Sequence, residues 1–197
     1  MLPNLHNYIK EKSDLSDSYI HQLLQDAKVK KFQKGEFLLK AGEVCMHAMF
    51  TESGLLRTYT IGDTAKEHII QFAPETWISL DRASLYFNEP SDFYIEAIEN
   101  SEVVLLTSDF ILKISRISPK FQLANDRALH THIRQLQQRV NQLLGATAEE
   151  RYLTFIQKYP DLLLRVPQWM IASYLGITPE SLSRVRKELA TRNFKMT

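Results

Sequence analysis

The chain contains little of what usually cross-links a protein, binds its metals or anchors it in a membrane. Its 197 residues include one cysteine, Cys45, which excludes an intrachain disulfide, a CxxC redox pair and a four-cysteine iron–sulfur cluster. No run of about 18 apolar residues occurs, and the N-terminal segment has no apolar signal-peptide core. These absences predict a cytoplasmic protein. Cys45 is predicted to be a small buried apolar side chain, as free cysteines usually are.

Net charge is also low, at +1, but it is unevenly distributed. Residues 1–117 contain 12 Lys and Arg against 17 Asp and Glu, which gives −5. Residues 118–197 contain 12 against 6, which gives +6. The basic C-terminal part therefore suits a polyanionic partner, and the acidic N-terminal part does not.

Short apolar or alternating segments fill the middle of the chain. Segments such as "HAMFTESGLLRTYTIGD" and "DFYIEAIENSEVVLLT" contain turn signals at intervals of about 8–12 residues, which predicts a sandwich, roll or barrel. Apolar residues at helical spacing within 5–27 predict two short helices before the strands. The segment "DRASLYFNEPSD" predicts a short helix and a loop between strands.

A long helix is predicted from Ser118-Pro119 to about Gly145, because Ser118 is a good N-cap and proline suits the first helical position. Apolar residues then recur at spacings of four and three between polar flanks. This heptad seam favours dimerisation of two such helices, and the alternative is a helix that packs on the core of its own domain. The seam residues are Leu129, Ile133, Leu136, Val140 and Leu143.

The long helix is followed by a predicted break at residues 145–147. Thr147 and Glu150 have the spacing of a capping box. In this motif the Thr147 side chain accepts the backbone N–H of residue 150, and the Glu150 side chain accepts the backbone N–H of residue 147. A new helix therefore begins here, and the break between the two helices is a candidate hinge.

Residues 168–187, "QWMIASYLGITPESLSRVRK", fit a helix-turn-helix. Ala172 is small where two helices cross closely, and Gly176 supplies a left-handed turn residue. Thr178 is suited to cap the second helix. The alternative is a helical hairpin that does not bind DNA. The apolar residues that fill the wedge between the helices are Ile171, Leu175, Ile177, Leu182 and Val185.

In such a motif the second helix enters the major groove and presents its N-terminal residues to base edges. Arg184 is suited to guanine, and Glu180 to the amine of cytosine. Arg186 and Lys187 suit phosphates, which provide affinity without sequence preference. The alternatives are an ion pair between Glu180 and Arg184, and a solvated charged face for the other two residues.

The order of β-roll, long helix, hinge and helix-turn-helix resembles the cyclic-AMP receptor/fumarate–nitrate regulator (Crp/Fnr) family of bacterial transcription regulators. "GITPESLSRVRK" and "AEERY" resemble the subgroup often found in the Bacteroidetes. The resemblance implies an E-x-x-S-R reading pattern at Glu180, Ser183 and Arg184, with Ser181 beside it and with Gln168 and Thr178 near phosphates. With Pro179, Arg186 and Lys187, these are the predicted DNA-binding residues.

The resemblance also implies the fold class, α+β, and three regions. These are an N-terminal cyclic-nucleotide-binding-like β-roll (jelly roll) sensor with N-terminal helices at 1–117, a dimerisation helix and hinge at 118–146, and a winged-helix-like helix-turn-helix region at 147–197. The implied partners are double-stranded DNA with a palindromic operator, a second copy of the chain, RNA polymerase and a small-molecule effector. No membrane contact and no cofactor are implied. After "ELATRNFKMT" little room is left for the β-hairpin wing of many relatives.

The sensor region departs from the cyclic-AMP pattern, which needs Gly-Glu for the ribose and Arg-Ser for the cyclic phosphate. Aligned on the strand "FYIEAIENSEV", the Arg-Ser positions are Ser91 and Asp92, and "TWISLD" contains no Gly-Glu. The adenine-contacting positions become Leu136 and Gln137. We therefore expect no response to cyclic AMP.

Two other interpretations remain open at this level. One is a β-roll protein that binds a small ligand or a metal and whose helical C-terminus serves assembly only. The other is a constitutive DNA-binding protein with an empty or collapsed sensor pocket. An enzyme is not expected, because no strand carries an H-x-H with a following glutamate, the cupin signature.

Overall fold

The computed structural model describes the backbone of residues 2–194 and the side chains of residues 2–192. Helices precede, interrupt and follow a set of strands, as the α+β prediction required. The helices are α1 (Pro3–Lys12), α2 (Asp17–Leu24), α3 (Arg82–Phe87), α4 (Ser108–Ile117), α5 (Pro119–Gly145), α6 (Ala148–Lys158), α7 (Leu162–Arg165), α8 (Gln168–Leu175) and α9 (Pro179–Phe194). The strands are β1 (Lys28–Phe32), β2 (Phe37–Leu39), β3 (Ala48–Ser53), β4 (Leu56–Ile61), β5 (Glu67–Ala73), β6 (Ile78–Ser79), β7 (Tyr94–Ala97) and β8 (Ser101–Leu106).

The strands form two four-stranded sheets with the orders β1-β8-β3-β6 and β2-β7-β4-β5. Except for the β4–β5 hairpin, neighbouring strands in both orders are distant in sequence, and the pairs β1–β8, β3–β8 and β4–β7 are antiparallel. This topology is a β-roll, which confirms the predicted fold class. At the turn between β3 and β4, Gly54 has φ +92°, and a Cβ there would lie 2.3 Å from Ser101 Oγ, so the turn requires glycine.

The chain divides into two compact units, of which the first comprises Met1–Thr60 and Ile70–His130. One apolar cluster of this unit lies between the two sheets and includes Leu56, Ile95 and Val103. A second cluster joins β3 and β8 to the helices α1, α2 and α4 and to the start of α5. Burial of these side chains is the main stabilising contribution to the unit.

The second unit comprises Ile61–Ile69 and Thr131–Thr197. It therefore contains the tip of the β4–β5 hairpin, the second half of α5, and the helices that follow. Its core is built from side chains of α6 to α9 that are nearly or fully inaccessible. They include Tyr152, Phe155, Tyr159, Leu162, Val166, Met170, Ile171, Ala172, Leu175, Leu182 and Val185.

The predicted helix boundaries follow from local capping. The Ser118 hydroxyl accepts the Phe121 N–H at 3.2 Å, and α5 begins at Pro119 and ends at Gly145 as expected. Thr147 and Glu150 form the predicted capping box at the start of α6. Helix α4 was not predicted, although Thr107 caps it by accepting the Phe110 N–H at 3.1 Å.

Within residues 2–194, no helix is long and apolar enough to cross a membrane. Helix α9 extends to Phe194, and residues 195–197 lie outside the described part of the chain. The expectation about a wing after "ELATRNFKMT" therefore lies outside the described residues.

Candidate nucleic-acid interface

Helices α8 and α9 form the predicted helix-turn-helix, and a Schellman motif makes the turn between them. Gly176 lies in the left-handed region at φ +67°, and its N–H donates to the carbonyl of Ser173 at 3.0 Å. The next N–H, of Ile177, donates to the carbonyl of Ala172 at 3.0 Å. These two bonds satisfy carbonyls that the end of α8 would otherwise leave unpaired.

Two constraints require glycine at position 176. Its positive φ is costly for a residue with a Cβ. A Cβ there would also lie 3.1 Å from Leu143 Cδ2, so the long helix α5 closely approaches the turn. Leu143 was predicted only as a dimer-seam residue; the structure shows that it also packs on this turn.

The start of α9 is capped by the residue that the sequence indicated. The hydroxyl of Thr178 accepts the Ser181 N–H at 3.2 Å. Glu180, in the first turn, accepts a hydrogen bond from its own backbone N–H and is hydrogen-bonded to Thr178, and these bonds lower the pKa of its carboxyl group. The carboxylate is therefore ionised at neutral pH and can accept a hydrogen bond but not donate one.

Helix α9 separates its apolar and charged side chains by face. Leu182 and Val185 are buried against the rest of the unit. Glu180, Arg184 and Lys187, at i, i+4 and i+7, are exposed on another face. The remaining predicted DNA-binding residues are also exposed, except Ser181, which is half-buried; they are Gln168, Thr178, Pro179, Ser183 and Arg186.

The alternative of an ion pair between Glu180 and Arg184 is not realised. Among residues 2–192, the ion pairs involve other groups, and neither Glu180 nor Arg184 has a further, unspecified interaction. An exposed guanidinium that is not bound by a carboxylate keeps its donors available for an external acceptor such as a guanine or a phosphate.

Ser91 and Asp92, the positions that the sequence alignment assigned to the cyclic-phosphate pair, make other interactions in the first unit. Ser91 is buried, and its hydroxyl donates to the carboxylate of Asp81 at 2.7 Å. Asp81 is itself buried and accepts the Ser84 N–H at 3.2 Å, which caps α3. Asp92 is exposed. On that alignment, the predicted phosphate-binding pair is replaced by the Asp92 carboxylate, which would repel a phosphate, and by a serine that is already bonded to Asp81.

No metal site is evident in the part of the chain that the structure describes, since no group of three or more His, Cys, Asp or Glu side chains converges there. Cys45 is buried, and desolvation raises the pKa of its thiol, so the reactive thiolate is disfavoured. Arg82, at the start of α3, has a buried Nε without a hydrogen-bond partner.

Sequence reasoning missed two features near this interface. Trp169 is 43% exposed in the first turn of α8, and an aromatic beside the polar Gln168 at the start of a helix was the available signal. The hydrogen bonds that Ser173 makes had no signal in the sequence, because they depend on a hairpin about 100 residues away.

Comparisons with known proteins agree with this architecture. Residues 29–117 match the cyclic nucleotide-binding domain family. The anaerobic regulatory protein of Pasteurella multocida is 30% identical over 168 residues, which cover 79% of this chain and 60% of that protein. The fumarate and nitrate reduction regulatory protein of Vibrio cholerae is 27% identical over 183 residues, which cover 87% and 72%.

Among solved structures, FixK2 from Bradyrhizobium japonicum superimposes with a TM-score of 0.71 at 22% identity, over 85% of this chain and 86% of that one. This likeness concerns the fold. The chain spans 60% and 64% of the length of two of the curated relatives it matches, those from Pasteurella multocida and Aggregatibacter actinomycetemcomitans.

Proposed function

We propose that this chain is a transcription regulator of the Crp/Fnr family that binds a palindromic operator in double-stranded DNA as a homodimer, as its similarities to such regulators support. Its β-roll senses an effector other than cyclic AMP or is the remnant of such a sensor. The relatives' names describe regulatory proteins, and no enzymatic activity is part of the proposal. Because its target is bacterial DNA, the protein acts in the cytoplasm.

The observation that carries the proposal is the exposed face of α9, which we call the recognition helix. Its first turns present one ionised acid, Glu180, and two exposed cations, Arg184 and Lys187, on a helix fixed by a capped start and a buried opposite face. A helix of this kind in a helix-turn-helix enters the major groove with its N-terminal residues at base edges. Arg184 then reads guanine, and Glu180 accepts from cytosine.

The dimer rests on the apolar seam of α5. The predicted seam residues are all 40% to 54% exposed although they are apolar, and polar side chains flank them. The helix extends over 27 residues, which is about 40 Å and long enough for a stable seam. We propose that the seam is buried against a second copy through Leu129, Ile133, Leu136, Val140 and Leu143.

The sensor part of the proposal rests on the Asp81–Ser91 pair. A cyclic phosphate at the aligned positions would meet the Asp92 carboxylate and no guanidinium, and the Ser91 hydroxyl is already hydrogen-bonded to Asp81. We therefore propose that the β-roll does not respond to cyclic AMP.

The finer assignments also belong to the proposal. The functional regions are 1–117 for sensing, 118–146 for dimerisation and the hinge, and 147–197 for DNA binding, and RNA polymerase is a further partner. The Bacteroidetes-type subgroup rests on "AEERY" and "GITPESLSRVRK", while the similar proteins described above are from other bacteria.

The test is selection of bound sequences from a random pool of double-stranded DNA by the purified full chain, without added effector. We expect enrichment of a palindrome whose half-sites are about one helical turn, or 34 Å, apart. Selections at roughly 50 and 200 mM salt separate this enrichment from non-specific binding, which weakens steeply with salt.

Arg184→Ala is the matched control, because it removes one exposed side chain and leaves the buried face of α9 intact. Selection with this variant should return a palindrome with weaker preference at one base pair of each half-site. If the wild-type chain enriches nothing, with and without a metabolite extract from bacterial cells, and shows no salt-dependent binding to random DNA, the proposal is wrong.

A further inference from the structure

Within the second unit, the outer edge of strand β5 is hydrogen-bonded to helix α8 of the helix-turn-helix. β5 is the last strand of its sheet and pairs only with β4, so the outward backbone groups of its other edge need partners. The hydroxyl of Ser173, on α8, donates to the carbonyl of Glu67 at 2.7 Å and accepts the Ile69 N–H at 3.1 Å. One serine thus satisfies two groups of the edge.

Arg139, on α5, completes this connection. Its Nη2 donates to the carbonyl of Ile69 at 3.0 Å and to the carbonyl of Tyr174 at 2.9 Å. The Tyr174 carbonyl belongs to the last turn of α8, where carbonyls lack helical partners. The guanidinium also stacks on the Tyr174 ring at 3.9 Å from its centroid. A planar group with several donors suits this double contact, whereas a lysine ammonium does not.

The connection crosses the predicted hinge. Helix α5 ends at Gly145 and α6 begins at Ala148, and a Cβ on Gly145 would meet nothing within 4 Å. The break at Gly145 is therefore not packed against other parts of the unit. Arg139 lies before the break and Tyr174 after it, so their contact restrains α8 relative to α5. Since α8 packs on α9 through the buried wedge, the recognition helix is restrained as well.

We propose that Arg139 and Ser173 are positioning residues that set the separation of the two recognition helices in the dimer, and so the spacing of the half-sites that the protein accepts. This inference rests on the proposed function, because the two subunits of the proposed dimer pair along the α5 seam. The orientation of each recognition helix relative to that seam then sets the distance between the two recognition helices. With both contacts made, α9 is held at one orientation to that seam. Without them, the remaining contacts across the hinge, such as that of Leu143 with the Gly176 turn, hold α9 less tightly, and several spacings are bound.

Half-site spacing is a sensitive measure of this role. Inserting or deleting one base pair between half-sites moves them by about 3.4 Å and rotates them by about 35°. A rigid dimer meets both half-sites at one spacing only, whereas a dimer with a loosened hinge tolerates the shift. A contact that merely stabilised the fold would change affinity for all spacings alike.

The experiment measures affinity for the selected palindrome and for versions with half-sites one and two base pairs closer or further apart. For the wild-type chain we expect a clear preference for one spacing. For Arg139→Ala and Ser173→Ala we expect the ratio of affinities between optimal and shifted operators to fall by about tenfold, since each substitution removes two buried or half-buried hydrogen bonds.

Ser173→Thr keeps the hydroxyl and should restore the wild-type spacing profile. Arg134→Ala is the matched charge control, because Arg134 is exposed on the same helix and makes no hydrogen bond or ion pair with the hairpin or α8. An unchanged spacing profile in Arg139→Ala and Ser173→Ala overturns the inference. Loss of base discrimination together with spacing also overturns it, because the contacts would then be needed for folding of the helix-turn-helix.

Failure of this inference is distinguishable from failure of the proposed function. If the wild-type chain selects an operator with a preferred spacing and the two alanine variants share that preference, only the positioning role is wrong. If the wild-type chain selects no operator, the proposed function fails first.

Discussion

Thr178 and Ser181 are joined across the first turn of the recognition helix, where the Thr178 hydroxyl accepts the Ser181 N–H at 3.2 Å and lies 3.3 Å from the Ser181 hydroxyl. Both residues are also predicted to lie near DNA. The same contact therefore orders the helix end that would enter the major groove, and stability and recognition are coupled there.

The first prediction concerns this cap. Thr178→Ala should lower the free energy of unfolding by about 1 kcal/mol, because the N–H of Ser181 loses its acceptor. Thr178→Ser retains the hydroxyl and should stay close to the wild-type chain. Urea titration of the three proteins, followed by circular dichroism, measures the difference. Equal stability of the alanine and wild-type chains would show that solvent caps the helix equally well.

The second prediction concerns base recognition by Arg184. Arg184→Ala should weaken binding to the selected operator by about 1–3 kcal/mol and reduce discrimination at one base pair of each half-site, because a bidentate contact to guanine is lost. Titration against the operator, operators with that pair changed, and random DNA gives both quantities. Equal weakening on all three DNAs would assign Arg184 to the phosphates.

The third prediction contrasts Lys187 with Arg184. Lys187→Ala should weaken binding to every DNA by the same factor and lower the slope of log affinity against log salt by about one, because one phosphate contact releases one counterion fewer. Base preference should not change. The measurement is the same set of titrations repeated at several salt concentrations. A base-specific loss would place the Lys187 side chain at a base edge.

The sequence predicted the elements whose signals are local. Gly176, Thr178 and the apolar residues around them specified the helix-turn-helix, because a turn, a cap and a wedge each need particular residue types at fixed spacing. Ser118 and Thr147 marked the starts of α5 and α6 by capping alone. The alternating segments indicated a roll, and the strand orders that make it one come from pairings between distant strands.

Contacts between distant segments could not be predicted. Ser173 looks like any serine on a helix surface, and its two partners lie on a hairpin more than 100 residues earlier. The heptad pattern places Arg139 on the polar flank of the seam, and only the fold brings Ile69 and Tyr174 within reach of it. Helix α4 was missed because its capping signal follows directly on a strand.

The fourth prediction concerns the dimer seam. Leu136→Asp places a charge at the centre of the proposed interface, and burying an unpaired carboxylate is costly. The variant should therefore be monomeric in sedimentation velocity at concentrations where the wild-type chain is dimeric, and should bind a single half-site but not the palindrome cooperatively. Gln137→Asp, on the adjacent polar flank, is the matched control and should remain dimeric. A dimeric Leu136→Asp protein would mean that α5 packs in another way.

The last prediction concerns pH and the capping box at the hinge. The backbone N–H and the hydroxyl of Thr147 donate to the Glu150 carboxylate at 2.8 and 2.9 Å, and these bonds hold the pKa of Glu150 below its usual range. Because the folded-state pKa is the lower one, the stabilisation is complete above the unfolded-state value of about 4.3 and is lost as pH falls through the folded-state value. The difference in thermal midpoint between the wild-type chain and Glu150→Ala should be constant from about pH 5 to 7 and shrink on acidification below about pH 4. Other carboxyl groups titrate in both proteins and cancel in the difference. A difference that stayed constant down to about pH 3 would mean that the ionised carboxylate contributes nothing to the start of α6.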